Sequence, residues 1–148
     1  YTRTVDVIKN IIERLINCFD FCILAMLNTI KEEKKIDTIP KSPGLRAKIL
    51  SEHYKDEAEL ADFINFYHLL RSLSRAEFKR SNEFRRHVMM TAFLQDGPME
   101  INIDIITEYY RKSKIFVRFV TKVLGKKEGE DFTELLRLAQ VEVEFEGI

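Results

Sequence analysis

Arginine, glutamate and histidine recur at positions i, i+3 and i+7 of the stretch Arg80-Ser81-Asn82-Glu83-Phe84-Arg85-Arg86-His87. On an α-helix those three positions share one face. A guanidinium there can hold a phosphate through two hydrogen bonds. An imidazole that titrates near neutrality can take the proton of a ribose hydroxyl. Glu83 can fix the tautomer of that imidazole, so Arg80, Glu83 and His87 form a candidate catalytic set acting on RNA. The same spacing also fits a surface Arg–Glu–His ion-pair ladder with no chemistry attached.

The neighbourhood is basic. Between residues 71 and 86 stand Arg71, Arg75, Lys79, Arg80, Arg85 and Arg86, opposed only by Glu77 and Glu83. Arg71, Arg75 and Lys79 are four apart, so on one helix they stack as like charges and repel by a few tenths of a kcal/mol, about the size of any surface pair. An anionic partner relieves that repulsion, and so do neighbouring acids. Arg71, Arg75, Lys79, Asn82, Arg85 and Arg86 are therefore candidate nucleic-acid contacts. The whole chain of 148 residues is nonetheless neutral, with 24 bases and 24 acids. From residue 128 onward Glu128, Glu130, Asp131, Glu134, Glu142, Glu144 and Glu146 face only Arg137, which makes an acidic C-terminal extension of residues 126–148.

Other chemistries are disfavoured by spacing. Gly44, Gly97, Gly125, Gly129 and Gly147 form neither a phosphate-binding loop nor a dinucleotide fingerprint. None of His53, His68 and His87 has a glutamate three residues before it, as di-iron helical bundles require. Cys18 and Cys22 share a helix face without a second pair of ligands, so they read as buried reduced thiols. No metal and no cofactor is expected. The apolar run of residues 21–27 is too short to span a bilayer, which makes the cytoplasm the expected compartment.

The elements that must position these residues follow from periodicity. Val5, Ile8, Ile12, Leu15, Phe19, Cys22, Ile23, Met26 and Ile30 step by threes and fours, predicting a long helix over residues 5–34. Ser42-Pro43 predicts a helix start, with that short helix reaching about Tyr54. Asp56 and Glu59 form a candidate capping pair for a second long helix, which no proline or glycine interrupts before Gly97, so it is expected to run to about Arg86. Met99, Ile101 and Ile103 alternate with Glu100, Asn102 and Asp104, which with residues 88–94 predicts a β-hairpin over 88–103. A helix over 104–124 follows, with Gly125 as its stop. Asp131 and Glu134 predict a last short helix, and residues 141–145 alternate like a strand. The fold class is mainly α: one domain over 1–148, a bundle of four to five helices with a small hairpin inserted. Few Asn and Gln beside many Lys, Glu and Ile is a bias common in proteins from hot environments.

Six residues between Arg80 and His87, with polar Ser81 directly after the arginine, resemble the Arg–(four to six residues)–His signature of the HEPN family, helical "higher eukaryotes and prokaryotes nucleotide-binding" domains. The order of elements over residues 2–122 looks similar too. The resemblance implies a homodimer that brings two copies of the motif into one cleft. It implies RNA as the partner and, in many members, metal-independent ribonuclease activity, with His87 activating the 2′-hydroxyl and Arg80 holding the scissile phosphate. Several members are toxins paired with a nucleotidyltransferase-type antitoxin, and others bind without cleaving. The commonest toxin form has four intervening residues and a tyrosine two beyond the histidine, where this chain has Met89. A non-enzymatic module that meets an acidic partner protein is the alternative.

Overall fold

The structure, a computed structural model, describes residues 3–125. Four helices and three strands follow in the order α1 (Val5–Glu32), α2 (Pro43–His53), α3 (Ala58–Arg75), β1 (Glu77–Ser81), β2 (Met89–Leu94), β3 (Gly97–Ile101) and α4 (Ile103–Val123). The chain is mainly helical, and the sheet is antiparallel in the order β1-β2-β3. The short helix and strand expected within 126–148 lie outside the described residues.

The central element is α1. Its periodic apolar residues cover more than one side of the helix, and thirteen of them are buried. A helix that is apolar over so wide an arc is stable only when surrounded. It packs against α2, α3 and α4, with the sheet at its N-terminal end. Phe19 sits at the centre of this core, stacked on Phe116 of α4 at 4.3 Å between ring centroids and on Tyr67 of α3 at 5.7 Å. Phe63 and Phe66 of α3 close the group.

Start signals behave locally as the residue types require. Thr4 caps α1 by accepting from the Val7 amide, Ser42 caps α2 with Pro43 in its first turn, and Asn102 caps α4 by accepting from the Ile105 amide at 2.9 Å. The expected Asp56–Glu59 pair does not form. Glu57 takes the capping position of α3 without a side-chain hydrogen bond. Gly125, at φ 70°, ends α4 in the left-handed conformation that glycine tolerates.

The second long helix does not reach Arg86. It stops at Arg75, Ala76 turns to an extended backbone, and Glu77–Ser81 forms β1. The expected hairpin is therefore two-thirds of a three-stranded sheet. β1 pairs with β2 from Glu77↔Phe93 to Ser81↔Met89, and β2 pairs with β3 from Met90↔Ile101 to Leu94↔Gly97. Alternation sends Phe78, Met90, Ala92, Met99 and Ile101 toward the core, and Lys79, Thr91 and Phe93 away from it. The physical reason for the break is tertiary: β2 carries buried Met90 and Ala92 and needs a ladder partner on each edge. Lys79 consequently leaves the expected Arg71–Arg75–Lys79 stack. Arg80, Glu83 and His87 do not share a helical face.

α1 runs antiparallel to the α3–β1 segment, joined by a file of polar and cation–ring contacts. Asp20 accepts from Tyr67, Glu13 accepts from Ser74, the Lys9 ammonium lies 4.3 Å from the Phe78 ring centre, and Asp6 meets Arg80. Steps of seven, four and three along α1 keep all four partners on one side of that helix. This file carries the register of the helix pair into the first strand.

Candidate functional site

The motif residues lie at the end of β1 and in the loop of residues 82–88 that follows. Arg80 is at an inward-facing strand position, paired with Met90. Its side chain leaves the sheet toward the start of α1, where Nη2 reaches Asp6 Oδ1 at 2.9 Å. Nη1 reaches Glu83 Oε1 at 3.2 Å. The guanidinium also lies 5.2 Å from the Phe78 ring centre. Hydrogen bonds donated to Asp6 and Glu83 hold Arg80 above its already high ordinary pKa, and the group remains exposed to solvent.

The loop turns because two residues adopt left-handed backbone, Asn82 at φ 54° and Phe84 at φ 64°. Asparagine tolerates that region. A phenylalanine there costs on the order of 1 kcal/mol. Four hydrogen bonds tie the loop: Phe84 N to Arg3 O at 2.7 Å, Arg85 N to Asn82 O at 3.2 Å, Val88 N to Arg85 O at 3.0 Å and Asn82 Nδ2 to His87 O at 3.4 Å. Val88 is buried and anchors the far end. Arg85, Arg86 and His87 stay exposed.

His87 and Arg86, with Arg3, Met89, Asn102, Ile103 and Asp104, line a cleft of about 310 Å³. That is the lower end of the range for small-ligand sites. The cleft opens onto the first turn of α4, where the helix dipole favours negative charge, with the Ile105 amide already taken by Asn102. Two arginines and an imidazole add to that preference, while Asp104 opposes it. Glu83 spends its hydrogen bond on Arg80 and makes none to His87.

Arg80, Asn82, Glu83, Arg85, Arg86 and His87 are thus brought into one segment, but Glu83 orients the arginine rather than the histidine. Lys79 projects from the outer face of the sheet. Arg71 and Arg75 stand on α3, Arg71 half-buried with its guanidinium 5.7 Å from the Tyr67 ring centre. Together they depress the pKa of His68, whose partial burial is the larger cause. Asp6 and Arg3 belong to the site and were not found from sequence. Asp6 lies 74 residues from Arg80, and spacing carries no signal over that distance. Ser81-Asn82 is a turn signal inside the motif that could have separated Arg80 from Glu83 and His87.

Elsewhere the polar groups are structural. Cys22 is pushed well above its ordinary pKa by the hydrogen bond with Cys18 and by burial. Tyr67 is raised by burial and by its bond to Asp20. Among the described residues no group of three or more His, Cys, Asp or Glu side chains could hold a metal ion, and no helix is long and apolar enough to cross a membrane. No family model, no curated protein and no solved structure matches this chain.

Proposed function

We propose that this chain is a HEPN-like RNA-binding protein that contacts phosphates through the segment running from Arg80 to His87. The observation that carries the reading is the concentration of Arg3, Arg86 and His87 around one cleft at the start of α4, with Arg80 at the end of β1 and Arg85 in the tied loop that follows it. Cations from two separate parts of the chain converge there, and no described acid except Asp104 lines the cleft.

The catalytic form of this reading gives His87 the role of base toward a 2′-hydroxyl and Arg80 that of phosphate ligand. For Arg80 to take a phosphate, Asp6 or Glu83 must yield its place. A homodimer would set two such loops about one RNA strand. The test is incubation of wild type, His87→Ala and Arg86→Gln with mixed RNA in chelator. Cleavage with cyclic-phosphate ends, lost in His87→Ala, supports the ribonuclease. Binding without cleavage, weakened in Arg86→Gln, supports an RNA-binding protein only.

A second reading is favoured by the contacts of Arg80 itself. Two carboxylates already occupy its guanidinium, so the site is shaped to accept acidic side chains. An acidic partner protein, a nucleotidyltransferase-type subunit among the candidates, would then be the ligand. Absence of RNA binding at low salt, with retention on an acidic polypeptide, selects it.

A further inference from the structure

Phe84 is 74% exposed, the most exposed of the large apolar side chains among the described residues. It gains nothing from the core and sits at φ 64°, a backbone that favours glycine or asparagine. The residue is nevertheless held in place. Its amide donates to Arg3 O at 2.7 Å, and the hydrogen bonds of Arg85 and Val88 fix the turn behind it. An aromatic ring is therefore presented to solvent on a tied loop, directly before the exposed Arg85 and Arg86.

An exposed ring followed directly in the chain by two exposed arginines suits an unpaired nucleotide, which offers a flat base and a phosphate together. A duplex keeps its bases stacked internally and gives the ring no partner. An acidic peptide satisfies the arginines but leaves the ring exposed. We infer that Phe84 is a base-stacking platform for single-stranded RNA, with Arg85 and Arg86 taking the adjoining phosphates. The inference rests on the RNA-binding reading and adds to it a substrate class and a residue that motif spacing does not indicate.

The test is fluorescence anisotropy of the full chain with a labelled single-stranded oligouridine and with an RNA hairpin duplex, over a series of salt concentrations. Wild type is expected to prefer the single strand. Phe84→Leu should weaken that binding by roughly tenfold, the usual effect of losing one stacked base, with the salt dependence unchanged. Phe84→Tyr should retain it, and Arg86→Gln should lower the salt slope by about one. Phe84→Gly should bind as poorly as Phe84→Leu yet melt at a higher temperature than wild type, because glycine relieves the left-handed strain. A purely structural Phe84 predicts no loss of affinity in either variant. Equal binding by wild type and Phe84→Leu overturns the inference and leaves RNA binding standing, as does equal affinity for the duplex. If wild type binds neither RNA, the RNA-binding reading fails and the platform fails with it.

Discussion

Arg80 cannot serve a phosphate and two carboxylates at full strength, so its neighbours set its availability. Asp6→Asn removes one competitor from an exposed pair, and exposed pairs contribute little to stability. The expected outcome is an unchanged melting temperature together with RNA binding several-fold tighter than wild type, read by anisotropy at low salt. His68 gives a pH dependence of known sign. Burial and the charges of Arg71 and Arg75 depress its pKa in the folded chain. The unfolded chain therefore binds the proton more readily, and stability falls as pH drops below the ordinary histidine range near 6.5. Melting at pH 7.5 and 5.5 should show that loss, and His68→Gln should reduce it. At this scale the residue types of the site were legible while their partners were not. Arg80 and His87 are visible in a motif, whereas Asp6 and Arg3 enter only through the folded chain.

The helices and the sheet owe their order to different things. The long apolar stripes of α1 and α4 made both readable from periodicity, and Gly125 marked the end of α4. Residues 77–81 carried no such mark, because β1 places Arg80 at an inward position and so has one apolar inward residue, Phe78. Alternation was masked, and no proline or glycine announced the end of α3. The aromatic stack at the helix crossing is the feature most exposed to damage. Phe116→Ala removes a fully buried ring from between Phe19 and Phe63 and should cost about 3–5 kcal/mol, measured by denaturant unfolding. Asn102→Ala removes the α4 cap and should cost about 1 kcal/mol in the same assay. Because Asn102 also lines the His87 cleft, that variant should weaken anion binding as well.

For the molecule as a whole, α1 is both the centre of the core and a carrier of the site, since its first turn supplies Asp6. Cys18 and Cys22, fully buried on that helix, report on global opening. Both should resist alkylation in the native state and react together once denaturant unfolds the chain, scored by mass spectrometry. The file of contacts from Asp20–Tyr67 to Asp6–Arg80 has a mechanical meaning. Arg80 links the sheet to α1 through an exposed pair, and an anion that displaces Asp6 opens that link. Occupancy of the loop by RNA should then be audible at a distance, as faster amide hydrogen exchange in the first turn of α1, so the fold would announce its own ligand without a label.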